Sequence, residues 1–224
     1  YLGFIITKDG MRPQQAKVAA IQRIPEPKTQ GEVLSLLGLC TYYRWFAEGY
    51  SELTAPLREL TKKGINVTEH WGERHRKALQ DIKDVLCDPN VGLKRYDPRR
   101  PTFIHTDWSE HGISAVLTQY YEEDDTEYMV LAVSRSCNIH EARYPSFYGE
   151  MLAATWGVNK LRAYVYGNPF TLITDHKPIT YLLHKRDGLS DMHQRWQLQL
   201  QEYQFKIIHR EGKKHAIADV PSRH

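Results

Sequence analysis

The sequence predicts an α/β protein in which a small helical module precedes a mixed five-stranded sheet with flanking helices. Two observations support this fold class. Apolar residues recur at helical spacing through residues 11–88, whereas from about residue 98 three strand-like runs follow in series, and helices then alternate with strands. The 224 residues are enough for one large domain or two modest ones, each with its own core.

The composition is that of an ordinary globular protein, with 41% hydrophobic and 25% charged residues. No apolar run approaches the roughly 18 residues of a membrane span, and no secretory signal is present, so we expect no membrane partner. Cys40, Cys87 and Cys137 are scattered and form no zinc-type pair, which favours reduced thiols inside a cell. The chain opens on Tyr1 in strand-like sequence, as a piece of a longer protein would.

The net charge of +3 comes from the first third of the chain, where residues 1–66 carry 9 Lys and Arg against 6 Asp and Glu. A mild basic bias is usually a solvated surface, so charge alone supports a polyanionic partner only weakly.

The helical module begins after an opening strand, with a short helix predicted around Gln14–Arg23 and a Pro-x-Pro break behind it. Thr29 to Glu32 form a capping-box pattern, which marks the start of a second helix. A third helix is predicted over 51–63. The fourth lies within 72–89, ends at Asp88-Pro89 and carries one apolar stripe, formed by Ala78, Leu79, Ile82, Val85 and Leu86.

The second section is predicted to form the sheet. Strands are expected at 101–107, 112–119, 127–134, 169–175 and 204–210. Helices are expected at about 146–165, near 177–184 and 189–202, and in a last short segment at 215–223.

Acidic residues mark the ends of two predicted strands, Asp107 and Asp175. Carboxylates that end neighbouring strands repel one another unless a cation lies between them. Small residues beside Glu150 would let its helix lie close to the same sheet edge, and Asp219 lies among small and apolar residues near the end of the chain. Four such carboxylates suit hard divalent cations, Mg²⁺ before zinc, and two ions would suit phosphoryl displacement.

The competing interpretation of these acids is structural. The chain holds 27 Asp and Glu, most of which are surface groups or helix caps, and Asp175 could simply cap the helix that follows it. Pattern alone leaves this alternative open.

Three stretches resemble the ribonuclease H domain of gypsy-type long-terminal-repeat retrotransposon polyproteins: TDWSEHGISAVLTQ, YPSFYGEMLAATWGVNKLRAYVYGNPFTLITDHKPITYLL and RWQLQLQEYQFKIIHREGKKHAIADVPSR. The preceding stretches, YLGFIITKDGMRP and HWGERHRKALQDIKDVL among them, resemble the segment before that domain. The resemblance implies a C-terminal fragment of a reverse transcriptase with three parts. These are a palm-end strand and helical thumb-like module at 1–66, a connecting helix and linker at 67–97, and a ribonuclease H-like domain at 98–224.

The family's acidic quartet falls on Asp107, Glu150, Asp175 and Asp219. The resemblance therefore implies a two-metal-ion endonuclease that uses Mg²⁺, with Mn²⁺ as a substitute. By the family's scheme Asp107 bridges both ions and Asp219 helps to hold the ion that activates water. Glu150 and Asp175 would hold the ion near the leaving oxygen.

The implied substrate is the RNA strand of an RNA–DNA hybrid, which 2′-hydroxyl contacts distinguish from DNA. The implied partners are that hybrid and the rest of the reverse transcriptase, with a homodimer left open. The implied location is a cytoplasmic particle or the nucleus.

Histidines before the last acid are candidates for proton transfer or product release, because imidazole titrates near neutral pH. His209 is the stronger candidate and His215 the weaker, and a solvated strand end is the alternative for His209. The sequence departs from the family at three positions. Trp108 stands where a small residue is usual, Gly149 where a charged one is usual, and Pro221 follows the last acid.

Nucleic-acid contacts are predicted from basic residues. The best phosphate partners are Arg44, Lys62, Lys63, Lys177, Lys185, Arg186 and Arg195. For most of the aromatic residues interleaved with the basic ones in the thumb-like module, helix–helix core packing is the favoured interpretation; these are Tyr42, Tyr43, Trp45 and Phe46.

Two rival functions are kept. One is a non-catalytic nucleic-acid- or protein-binding module descended from such an enzyme, which Trp108 and Pro221 leave open. The other is an integrase or transposase of the same general fold, although the TDHK and IADVPSR contexts do not resemble it.

Overall fold

The computed structural model describes residues 3–88, 90–182 and 190–210. Its strands are β1 Phe4–Thr7, β2 Gly10–Pro13, β3 Leu93–Lys94, β4 Thr102–Trp108, β5 Gly112–Tyr121, β6 Thr126–Ser136, β7 Phe170–Thr174 and β8 Phe205–His209. Its α-helices are α1 Gln15–Gln22, α2 Gln30–Tyr42, α3 Tyr50–Leu53, α4 Ala55–Glu59, α5 Val67–His70, α6 Glu73–Cys87, α7 Ser146–Lys160, α8 Arg162–Val165, α9 Lys177–Leu182 and α10 Asp191–Leu200.

The main sheet has five strands in the order β6-β5-β4-β7-β8. The pairs β6/β5 and β5/β4 are antiparallel, whereas β4/β7 and β7/β8 are parallel. The predicted mixed five-stranded sheet with flanking helices is therefore confirmed.

Helix α7 packs closely against this sheet because its inner face is built mainly from small residues. Ala153, Ala154 and Val158 are fully buried. A Cβ added at Gly157 would lie only 2.6 Å from the Cβ of Ala115 in β5, so a larger residue does not fit there without movement. The sequence prediction that small residues bring this helix to the sheet is confirmed, and it matters because α7 carries Glu150.

The helical section forms its own apolar cluster, which includes Val33, Leu36, Tyr43, Leu57 and Ile82. The predicted capping pattern begins α2: the Thr29 side chain accepts a hydrogen bond from the Glu32 backbone N–H at 3.2 Å. The carboxylate of Glu32 accepts from the Lys28 backbone N–H at 2.6 Å, one residue earlier than a strict capping box requires.

Two predicted helices are wrong in extent. The helix expected over 51–63 is two short helices, α3 and α4, because Pro56 lies at the start of α4 and has no N–H to continue an earlier turn. The helix expected over 146–165 ends at Lys160, and the separate α8 follows.

A second sheet was not predicted beyond its opening strand. It contains β1, β2 and the two-residue β3, all antiparallel, so the linker after α6 returns to the start of the chain. Strands of two to four residues carry too little alternation to be recognised in a sequence.

The helical section contacts the main sheet through α3 and α4. The backbone N–H of Ser51 donates to Ser134 Oγ in β6 at 3.1 Å. The guanidinium of Arg58 donates to Ser136 Oγ and to the Ser51 carbonyl, and it also donates to Thr54 Oγ1 at 2.8 Å. These contacts attach the helical section to the β5–β6 side of the sheet. The predicted domain boundaries at 66 and 97 stay a prediction.

No helix in the described residues is long and apolar enough to cross a bilayer. The thiols of Cys40, Cys87 and Cys137 are all free.

Candidate active site

Strand register brings Asp107 and Asp175 together. In the parallel pair β4/β7, Phe103 lies beside Thr171 and His105 beside Ile173. The same offset, continued to the strand ends, sets Asp107 beside Asp175. The predicted convergence of two strand-end carboxylates follows from this register.

Glu150 joins this pair from helix α7. Asp107, Glu150 and Asp175 each offer a carboxylate oxygen, and these oxygens lie within 4.8 Å of one another. Glu150 is buried, whereas Asp107 and Asp175 are exposed at the sheet edge. Three of the four predicted ligands therefore form one group.

The electrostatics of this group favour a cation. Desolvation by the surrounding protein raises the pKa of Glu150 to about 9, and the charges of Asp107 and Asp175 add to the rise. Desolvation likewise raises the pKa of Asp107 to about 6, with Asp175 as the next contributor. Carboxyls that resist ionisation near one another are relieved when a positive ion binds between them.

A second observation also indicates that these residues fit a divalent metal. Glu150 Oε2 is buried and has no hydrogen-bond partner among the described residues. A buried carboxylate oxygen without a partner is costly, and a metal ion would satisfy it. Because the grouped ligands are all carboxylates, Mg²⁺ or Mn²⁺ suits the site better than zinc.

Several predicted residues lie outside the described residues: Asp219, His215, Pro221, Lys185 and Arg186. The fourth ligand and two of the phosphate candidates therefore stay predictions.

His209 lies at the same sheet edge, at the end of β8 beside Thr174. Its Nε2 donates to the backbone carbonyl of Asp175 at 2.9 Å. The histidine thus contacts the segment that carries one ligand.

Two acids of the helical section were missed by sequence reasoning. The negative charges of Glu52 and Glu48 contribute to the raised pKa of Asp107. Desolvation also raises the pKa of Glu48 itself. Glu48 and Glu52 lie near Asp107 because α3 packs on β6, and no local sequence pattern predicts this tertiary contact.

The predicted phosphate partners that the structure describes are spread over the surface. Arg44 lies beside Trp45 in a short 3₁₀ turn, Lys62 and Lys63 follow α4, Lys177 begins α9 and Arg195 lies on α10; all of these cations are exposed. The aromatics divide evenly: Tyr43 and Phe46 are buried, as the core interpretation requires, whereas Tyr42 and Trp45 remain 46% and 43% exposed.

Comparison with known proteins agrees with this geometry. Residues 97–203 match the family described as the RNase H-like domain found in reverse transcriptase. Along its full length the chain is 32% identical to the retrovirus-related Pol polyproteins of the transposons gypsy and opus from Drosophila melanogaster, and it covers 22% and 23% of them. It is 31% identical to the Tf2-3 polyprotein of Schizosaccharomyces pombe and covers 17% of it. The chain thus spans about a fifth of the length of these relatives.

Solved structures show the same fold. The foamy viral protease-reverse transcriptase dRH in complex with double-stranded DNA superimposes with a TM-score of 0.69, at 21% identity over 100% of this chain and 38% of that chain. The foamy viral protease-reverse transcriptase in complex with an RNA/DNA hybrid gives 0.67, at 22% identity over 100% of this chain and 30% of that chain. The matched domain favours a reverse transcriptase over the integrase alternative. This chain is therefore homologous along its length to gypsy-type retrotransposon Pol polyproteins and carries the RNase H-like domain of a reverse transcriptase.

Proposed function

We propose that this chain is a metal-dependent endonuclease that cuts the RNA strand of RNA–DNA hybrids during reverse transcription. The observation that carries the proposal is the group formed by Asp107, Glu150 and Asp175, whose ligand oxygens lie within 4.8 Å of one another. The domain match supports nuclease chemistry in general.

The three carboxylates would hold Mg²⁺, with Mn²⁺ as a substitute, and Asp219 would complete a two-ion site. When bound, the metal supplies positive charge to the scissile phosphate and lowers the pKa of its water. The protein's own contribution is to hold mutually repelling carboxylates in place. Strand register fixes Asp107 and Asp175, and the close packing of α7 fixes Glu150.

His209 is proposed to assist proton transfer or product release at this edge. Its ring is already oriented, because Nε2 donates to the Asp175 carbonyl. A hydrogen bond of this kind leaves Nδ1 as the nitrogen that exchanges a proton.

The nucleic acid is proposed to contact the exposed cations, namely Arg44, Lys62, Lys63, Lys177 and Arg195. A structural neighbour was solved with an RNA/DNA hybrid, which makes this ligand the natural candidate. The rest of the reverse transcriptase is a further proposed partner, and a homodimer stays a prediction. Replacing Lys62 and Lys63 together by Ala should lower the salt slope of log Kd for a hybrid by about 2, because each lost phosphate contact removes about one unit. An unchanged slope would exclude these two lysines from the contact.

The test of the function is cleavage of end-labelled substrates by the full chain. In Mg²⁺ or Mn²⁺ we expect cutting of the RNA in an RNA–DNA hybrid, and no cutting of double-stranded DNA or of any substrate in EDTA. E150Q and D175N should lose this activity, whereas D191N, at an exposed acid on α10, should keep it. Tight hybrid binding by the wild type with no metal-dependent cutting would favour the non-catalytic module instead.

A further inference from the structure

Trp108 and Gly149 are in direct contact between the strand and the helix that carry the candidate metal ligands. A Cβ added at Gly149 would lie 2.1 Å from Trp108 Cδ2, 2.4 Å from Cε2 and 2.5 Å from Cγ. These distances are far below any van der Waals contact, so the indole packs directly on the α7 backbone. Only glycine fits at position 149 while Trp108 keeps this position.

The contact lies beside two ligands in the sequence. Trp108 follows Asp107 at the end of β4, and Gly149 precedes Glu150 in α7. A shift of the indole would therefore act on the strand residue next to Asp107 and on the helix residue next to Glu150.

A contact of this kind has a geometric consequence. The separation of β4 from the first turns of α7 is fixed by the thickness of the aromatic ring and by the absence of a side chain at Gly149. The Glu150 side chain has little freedom to move, because it is buried. Its helix is also held against the sheet further along, where Gly157 packs on Ala115. The ring thus acts as a spacer between the elements that carry the two carboxylates.

We propose that Trp108 and Gly149 form an interlocked positioning pair that sets the spacing of Asp107 and Glu150 and thereby the affinity of the site for divalent metal. This inference rests on the proposed function only in that these acids bind metal. Trp108 is assigned no contact with the hybrid. Its role is performed through the two ligands, so it is a positioning residue.

The test is a double-mutant cycle on the full chain, with Mn²⁺ alone as the probe and calorimetry as the readout. W108A should weaken Mn²⁺ binding by about tenfold, the scale expected for residues that orient metal ligands. G149A should weaken it at least as much, because the new Cβ displaces the ring. W108A/G149A should bind Mn²⁺ no more weakly than W108A, because the added methyl group then has no ring to displace.

Thermal unfolding in EDTA gives a second readout that needs no metal. G149A should lower Tm when Trp108 is present and raise it in the W108A background, where alanine is simply a better helix former than glycine. If G149A does not fold, recovery of the fold in W108A/G149A supports the interlock, and Mn²⁺ binding by W108A decides the effect on the site.

Two results would overturn the proposal: wild-type Mn²⁺ affinity in W108A, or an equal change of Mn²⁺ affinity and Tm on adding G149A to the wild type and to W108A. A raised KM for the hybrid in W108A with unchanged Mn²⁺ affinity would assign the ring to substrate stacking instead.

The D107N variant separates this proposal from the proposed function. If D107N binds Mn²⁺ like the wild type, the metal site itself is wrong; if D107N loses binding while W108A keeps it, only the positioning pair is wrong.

Discussion

Glu150 lies where its charged form is unfavourable, and a bound cation would remove that cost. It is 4% exposed, one of its oxygens has no partner among the described residues, and desolvation raises its pKa to about 9. Sequence reasoning identified Asp107 and Asp175 from their strand ends, and Glu150 from the small residues beside it. It missed Glu48, Glu52 and the contact of Trp108 with Gly149, because all of these depend on tertiary neighbours.

The raised pKa of Glu150 predicts a pH dependence of stability for the metal-free protein. A carboxyl whose pKa is higher in the folded state stabilises the fold below its ordinary pKa near 4.5, and this stabilisation is lost as pH rises towards 9. E150Q removes the titration, so at pH 8 in EDTA it should raise Tm by about 2–4 °C, which corresponds to about 1 kcal/mol.

Thermal unfolding between pH 5 and 9 checks this prediction, with E122Q in the exposed acidic loop as the matched control. The wild type and E122Q should lose stability with rising pH more steeply than E150Q. Mg²⁺ should stabilise the wild type most at the high end of this range. Parallel curves for all three proteins would show that Glu150 is not desolvated as described.

At the scale of elements, the position of α7 on the sheet decides where Glu150 lies. The small residues of α7 could be read from the sequence, and so could the five strands, because each has enough alternation or apolar length to be recognised. The division of 51–63 into α3 and α4 and the pairing of β3 with β2 could not. Such short elements are stabilised by their neighbours more than by their own residues.

Because α7 packs closely on β5, we expect a substitution of Gly157 to lower the stability of the protein. In G157A the new Cβ would overlap Ala115, which costs up to about 3 kcal/mol of overpacking against a helix-propensity gain of about 1 kcal/mol. We expect a lower Tm, by up to about 6 °C. The control is G38A in α2, where a new Cβ meets nothing within 4 Å and Tm should rise. Equal increases in both variants, measured by calorimetry, would contradict the packing described for α7.

At the scale of the molecule, the helical section and the sheet are joined at the same side as the candidate site. Asp107 lies opposite Ser114 in β5, Ser114 lies opposite Ser134 in β6, and Ser134 accepts a hydrogen bond from Ser51 in α3. One row of residues therefore links the helical section to the sheet edge that carries the candidate metal ligands. Both parts can be recognised in the sequence from their resemblance to a reverse transcriptase, but the contact between them depends on the tertiary fold.

The contribution of this junction to stability can be tested at Arg58. Its guanidinium donates to Ser136 of the sheet and to the Ser51 carbonyl, so R58A removes a charged donor from both acceptors. We expect the free energy of unfolding to fall by about 1–3 kcal/mol. Chemical denaturation measures it, with R23A at an exposed arginine of the same section as the control. A loss no larger than that of R23A would mean that Arg58 does not hold the junction.

We propose that Asp107 is a metal ligand in a site that cuts the RNA of a hybrid, and one rate measurement tests this role. The Mg²⁺-dependent cleavage of a labelled RNA–DNA hybrid should fall by about 10³-fold or more in D107N, which corresponds to about 4 kcal/mol of transition-state stabilisation. Substrate binding in EDTA should be unchanged, since the variant alters no phosphate contact. A D107N rate equal to that of the wild type would show that Asp107 is not a ligand of the catalytic site.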